Sequence, residues 1–337
     1  MKISCEHIRA IQSLGYTEDE ARFLYIVANH SGYFVPRQLI AFTGASWGKR
    51  SQQFTDKLES RGHVTWREYQ DMGGVYHLFS KTLYRQIDRE NLRNRRRHST
   101  EFIRTRLLLL DFVLANQMYD YFETEDDKVR FFCDELAIPK KALPAKAYEG
   151  VSTPEPTLRY FVDKFPLFLA TSNGSSSPVV TFSYVDPGQA SVAGFANHLN
   201  AYASLFRHLR SFRFVYIASF TVHFTRAEQC FSSLVKTPLQ AGVSGDLERY
   251  FRLRAAWDGK QYGTLSSDDI EWLDKANKRI GGPRIEHLYA VWCSSEIPKD
   301  EYRALLRESQ PGRSSEFSTY LVTPARQDKP QELESKK

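Results

Sequence analysis

Between Pro36 and Phe79 the turn-forming residues are spaced so that a short helix, a turn, a second helix and a two-stranded ribbon fit in succession. Pro36 brings a fixed φ suited to a first helical position, and Arg37 to Phe42 follow it for about two turns. Gly44 is free to take a positive φ in the turn. Ser46 is placed to cap the next helix, in which Trp47, Phe54 and Leu58, with small Ser51 between them, recur on one face. The opposite face carries Ser46, Lys49, Arg50, Gln53 and Lys57, side chains that reach phosphates and base edges if the helix enters a major groove. Gly62 ends that helix, and two strand-like runs, His63–Tyr69 and Val75–Phe79, flank a tight turn at Gly73-Gly74. This is the order of a winged helix-turn-helix, and it predicts binding to double-stranded DNA. Any single amphipathic helix with a basic outer face also reads as solvated surface, and winged helices serve as protein-interaction modules too.

The flanks extend the same pattern. A helix over Glu6–Leu14 precedes Thr17 and Glu20, a capping-box pair opening a helix with Ala21, Leu24, Ile26, Val27 and Ala28. Tyr33 to Val35 can join the ribbon as a third strand. The net charge of +6 over 337 residues suits a polyanionic partner, and its distribution says more than its size. Nine Lys or Arg fall between Ser80 and Leu110 against Asp88, Glu90 and Glu101. After a helix over Ser80–Asn91, the knot Arg93, Arg95, Arg96 and Arg97 follows the ribbon closely enough to predict phosphate contact. Cys5, Cys133, Cys230 and Cys293 lie far apart without a CxxC pair, which suits a reducing cytoplasm and indicates no zinc site. The most apolar run, Leu107–Ala115, is short and broken by Asp111, so no membrane span is expected.

A long helix from Ser99 or Thr100 to about Phe122 carries Phe102, Ile103, Leu107, Leu110, Val113 and Leu114, an apolar surface that needs a cover. A second domain would supply one, and so would a second copy of the chain; a homodimer is the expectation, with a further protein partner as another role for the second half. Another helix opens at Thr124, and a proline- and lysine-containing stretch over residues 139–156 reads as a linker. Strands are then predicted at Leu167–Leu169, Val179–Val185, Phe214–Ala218, Leu288–Trp292 and Ser318–Val322. Helices are predicted over Ser191–Leu209, Thr225–Val235, Leu247–Trp257, Ser267–Ile280 and Asp300–Arg307. The fold class is therefore an α+β winged helix-turn-helix followed by an α/β domain with a mainly parallel sheet. The divisions fall at 1–98 for the DNA-binding part with its basic extension, 99–157 for a helical connector and linker, 158–323 for the α/β domain, and 324–337 for a polar, disordered tail.

Phosphate-cradling, dinucleotide-binding, nucleophile-elbow and histidine-pair motifs are absent. The winged-helix start, the basic connection Tyr84–Arg106, the block Val179–Gly188, the helix with His198, Leu199, Tyr202 and Leu205, and the strand Phe214–Ala218 together resemble the replication-relaxation family of plasmid and mobile-element proteins. The resemblance implies regulation, or replication or transfer control, of a mobile element. It also implies an α/β domain like the nuclease cores that hold a divalent metal on strand carboxylates, the family strand carrying Glu-x-Asp. Here only Asp186 matches, and Tyr184 stands where the first acid would be. Asp163 with Lys164 is the nearest substitute. The expectation is a binding protein without catalytic residues, metal or other cofactor, Asp186 being the one candidate for the rival reading, a metal-dependent nuclease or nicking accessory. Asp186-Pro187-Gly188 also explains itself as a turn whose carboxylate bonds nearby amides.

Overall fold

The computed structural model describes residues 1–44, 49–148, 157–163, 165–171, 178–188, 191–236, 241–280, 283–293 and 314–323. Helices α1 (Cys5–Gln12) and α2 (Glu18–His30) come first. The capping box at α2 is formed as expected: the Glu20 amide donates to Thr17 Oγ1 at 3.3 Å and the Thr17 amide to Glu20 Oε2 at 2.8 Å. Strand β1 (Tyr33–Phe34) leads into α3 (Pro36–Thr43), which stops at Gly44 with φ 64°. Helix α4 (Lys49–Ser60), β2 (Val64–Tyr69) and β3 (Gly73–Leu78) complete an antiparallel sheet of order β1-β3-β2.

The ribbon turn differs from the expected one. Residues 70–72 form the loop, and both glycines already belong to β3, with Gly74 opposite Glu68. Gly74 leaves room for Trp66, since a Cβ there would lie 2.5 Å from the indole nitrogen and displace that half-exposed ring. On the sheet face that carries Phe34, Tyr76 and Trp66, Phe34 stacks on Tyr76 at 5.2 Å and meets Phe54 of α4 at 6.2 Å. The other face, with Tyr33 and Val75, packs on Ile103 and Leu107.

Beyond the ribbon, α5 (Lys81–Arg85) is shorter than the helix expected over Ser80–Asn91, and the basic segment makes a single 3-10 turn at Arg93–Arg95. Helix α6 (Thr100–Ala115) starts at a Ser99 cap but ends well before Phe122. Asn116 terminates it by donating to the Phe112 carbonyl at 2.8 Å, and the chain turns into β4 (Asp120–Tyr121), held by the Tyr121 hydroxyl on the Asn116 carbonyl at 3.1 Å. Helix α7 (Glu125–Arg130) runs into a π turn at Phe131–Glu135. Strands β5 (Ala145–Tyr148) and β6 (Thr157–Tyr160) pair antiparallel, so part of the stretch read as a linker is a strand.

The second sheet is built from β7 (Phe168–Thr171), β8 (Pro178–Asp186) and β9 (Ser211–Ala218), with α8 (Ala193–His208) crossing between β8 and β9. Helices α9 (Phe224–Phe231), α10 (Ala241–Asp258), α11 (Ser267–Ile280) and α12 (Pro283–Cys293) precede the last strand, β10 (Ser314–Leu321). The order is β10-β9-β8-β7-β4: β9 is parallel to both β8 and β10, whereas the shorter pairings of β7 with β8 and of β4 with β7 are antiparallel. The molecule is thus of mixed α and β type. Leu288–Trp292, expected as a strand, lies inside α12, where Leu288 joins Leu247, Phe251 and Leu273 in a core shared by α10, α11 and α12. The segments 300–307 and 324–337, read as a helix and a disordered tail, lie outside the described residues. Among the described residues no helix is long and apolar enough to cross a membrane.

Helix α6 is the common wall of two cores. One flank packs on α2, α3 and β1, and the other on β8 and β9. Leu109, Leu110, Phe112 and Val113 are buried in one cluster with Phe23 and Phe34 of the first half and Phe168, Val185 and Ile217 of the second. Polar contacts fix its rotation: Arg37 of α3 donates to both Asp111 oxygens at 2.8 and 2.7 Å, and Gln38 reaches the Leu107 carbonyl at 2.9 Å. The apolar surface that suggested a homodimer is therefore covered within one chain, and that reason for a dimer is gone. The opposite face of the second sheet is closed by α8 and α9 through Phe182, Phe195, Phe206, Phe214 and Phe231.

Candidate nucleic-acid interface

Helix α4 keeps Ser51, Phe54, Thr55 and Leu58 inward, the face its periodicity predicts, and exposes Lys49, Arg50 and Gln53 on the other. Its first described residue is Lys49; Ser46, read as cap and contact residue, lies outside the described residues. Lys57 does not belong to the exposed strip. Its ammonium sits 2.9 and 2.7 Å from the two Glu20 oxygens and 5.5 Å over the Tyr16 ring, tying α4 to the start of α2. Helical spacing placed Lys57 near the outer face, but Glu20 lies close in space and far in sequence. Toward the far end of α4 the outer face turns acidic with Asp56 and Glu59, so its positive charge is confined to the first turns.

Sequence reasoning missed the residues that the ribbon adds. Trp66 is 48% exposed on the sheet face that also carries Phe34 and Tyr76, against which α4 packs. Arg67 is exposed on the other face, where it lines a small depression with Arg97. The signal available in the sequence was the alternation Val64-Thr65-Trp66-Arg67, which puts a large aromatic and a cation on successive sides of a strand.

The arginine knot is divided by the structure. Arg95 is turned inward, donating to the Phe79 carbonyl at 3.1 Å and to the Glu90 carbonyl, with its guanidinium 5.9 Å over Tyr84. It is a structural residue, in place of the phosphate contact expected of it. Arg93 lies 5.1 Å over Tyr148, and Arg96 is exposed at a cleft between the two halves of the chain. Arg97 stays with Arg67 on the ribbon. The segment is held by buried Asn94, whose amide donates to the Ala28 and Asn29 carbonyls at 2.9 and 3.1 Å and so closes the end of α2. Lys49, Arg50 and Gln53 are thus brought together on one strip; the arginines of the knot are not gathered beside them.

Asp186, the candidate metal ligand, ends β8 in a 5%-exposed position. The Tyr216 hydroxyl donates to it at 2.6 Å and the Gly188 amide at 2.9 Å, the turn geometry its tripeptide predicts. Burial and the Asp186 charge push the Tyr184 phenol up to about 12, so it carries no negative charge near neutrality. Asp163 lies elsewhere, accepting from Tyr202 at 2.8 Å, from the Phe165 amide at 3.1 Å and facing His198 Nδ1 at 3.2 Å. Burial raises its pKa, but the hydrogen bond and charge of His198, with help from Lys128, outweigh burial and hold it at about 2. Lys164 is outside the described residues. Among those described, no group of three or more His, Cys, Asp or Glu is placed to hold a metal ion.

No protein-family model matches the chain, and neither a curated protein nor a solved structure does.

Proposed function

We propose that the chain is a double-stranded DNA-binding protein whose first half is a winged helix-turn-helix, with α4 as the groove-reading helix and the β2–β3 ribbon as the wing. The observation that carries this reading is the exposed strip Lys49, Arg50 and Gln53 at the start of α4, opposite its buried Phe54 and Leu58. Helices of this class present their N-terminal residues to base edges. Arg50 and Gln53 supply the guanidinium and amide groups suited to guanine and adenine edges, and Arg67 and Arg97 supply charge on the wing's flank for adjacent phosphates. The resemblance to the replication-relaxation family belongs to the same proposal and makes regulation or replication control of a mobile element its setting. The second half, with its mixed sheet, serves partner contact, a role supported by Phe220 and Val222, which stand 63% and 71% exposed just after β9.

The reading is tested by selecting a preferred duplex from random fragments and measuring affinity against salt. Arg50→Ala should weaken the preferred site by roughly 1 to 3 kcal/mol and relax its sequence preference, whereas Arg97→Ala should weaken all duplexes alike and lower the salt slope by about 1. Failure of the intact protein to retain any duplex at low salt would sink the proposal. Running the bound DNA on a denaturing gel after incubation in Mg²⁺ and Mn²⁺ tests the nuclease reading in the same experiment; a product lost in Asp186→Ala would establish it.

A further inference from the structure

A cleft of about 560 Å³ opens where the segment after α5, the turn between β4 and α7, and the connection from β6 to β7 converge. Its size falls in the range of sites for small organic ligands. Two side chains lining it, His30 and Lys128, are only 8% and 6% exposed, and Arg106 lies close behind them at 3%. The Lys128 ammonium stands 5.7 Å over the Phe161 ring. His30 Nε2 is buried with no hydrogen-bond partner. Burial, Lys128 and Arg106 all act to keep that imidazole neutral.

The charge balance is uneven. Lys128 is buried, and each carboxylate that acts on it is bonded elsewhere: Asp163, which acts most, accepts from Tyr202 and faces His198, Glu125 holds Arg159, and Asp127 holds Thr124 and Arg130. The acids on the cleft wall are largely committed elsewhere: Glu125 to Arg159 and the Tyr160 amide, Glu123 to the Tyr25 hydroxyl, Glu90 to Arg85, Asp88 to His7, with Asp126 out in solvent. Arg93 and Arg96 add positive charge at the rim. A buried cation without full compensation is costly, and an anion entering the cleft would remove that cost. The wall also holds Phe161 at φ 50°, a conformation rare for an aromatic residue and found where a site constrains the backbone.

We propose that this cleft binds a small phosphorylated ligand of nucleoside-monophosphate size, its phosphate oxygens accepting from Lys128 inside the cleft and from Arg96 at the rim. The site stands independently of the DNA-binding reading, and its test contains no DNA. Calorimetric titration of the full chain with adenosine monophosphate and with inorganic phosphate should show saturable binding, tighter for the nucleotide, and both should raise the melting temperature. Lys128→Met should weaken binding at least tenfold and abolish the rise in melting temperature that the nucleotide gives. Ligand affinity left intact by that change would overturn the proposal, as would absence of binding at millimolar concentrations of both probes. Equal affinity for phosphate and nucleotide would overturn the assignment of ligand size. If Lys128→Met does not fold, Arg96→Ala at the exposed rim should weaken binding severalfold at an unchanged melting temperature, and unaltered affinity there would again refute the site.

Discussion

Lys57 and Arg50 lie two turns apart on α4, yet their surroundings give them different work. Lys57 is 27% exposed and its partner Glu20 17%, so the pair is shielded enough to contribute about 1 kcal/mol to stability. Lys57→Met should therefore lower the melting temperature and leave duplex affinity alone; an affinity loss as large as that of Arg50→Ala would return it to the interface. Arg95→Ala should likewise act on folding, since it strips two carbonyls of their donor. His30 governs a different property. Burial, Lys128 and Arg106 hold its folded-state pKa at about 3, below the ordinary 6.5, so the unfolded chain takes up a proton that the folded chain refuses. The stability this neutral His contributes is present above pH 6.5 and is lost as pH falls toward 3, amounting to about 2 kcal/mol by pH 5. Asp163, depressed to about 2, loses its contribution only below the usual carboxylate range, so the two effects separate on the pH axis. Melting curves between pH 7 and pH 5 check this: the decline should be shallower in His30→Gln, and an identical slope would assign it to other groups.

Elements with a local signature were legible in the sequence. The capping box at Thr17, the Pro36 start of α3, the Gly44 stop and the Ser99 cap of α6 each depend on residues within a turn of one another, and each is where periodicity and capping chemistry put it. What depends on distant residues was not legible. The end of α6 is decided by the need to lay β4 against β7, and Leu288–Trp292 is too short an apolar run for its period to separate strand from helix until α10 and α11 supply the packing surface. The same division holds at the candidate interface: the α4 face follows from spacing, whereas the removal of Lys57 and Arg95 from it depends on Glu20, Phe79 and Glu90. Helix α6 itself carries an element-scale prediction. Leu110 is fully buried between the two halves, so Leu110→Ala should cost about 2 to 5 kcal/mol. Amide hydrogen exchange followed in the β2–β3 ribbon and in β8–β9 should quicken together, and a change in one region alone would show that the helix serves a single core.

At the scale of the whole molecule, a boundary after residue 98 would cut the first half away from its own wall. Without Ile103 and Leu107, the Tyr33 and Val75 face of the ribbon would be bare. A fragment of residues 1–98 should therefore aggregate or remain loosely folded, whereas 1–116 should show more native-like circular dichroism and a sharper thermal transition; equal behaviour of the two would mean the ribbon closes without α6. Sedimentation of the intact chain at micromolar concentration should give a monomer mass, because the greasy flank of α6 is already covered by α2, α3 and β1 on one side and by β8 and β9 on the other. That double occupancy has an evolutionary consequence. The helix is fitted to two neighbours at once, with Asp111 answering Arg37 on one flank while Phe112 meets Tyr320 on the other. A recombination breakpoint placed just before or just after it would import a helix matched to one neighbour and mismatched to the second, so the two halves are expected to be inherited together and to diversify by coordinated substitution along this seam.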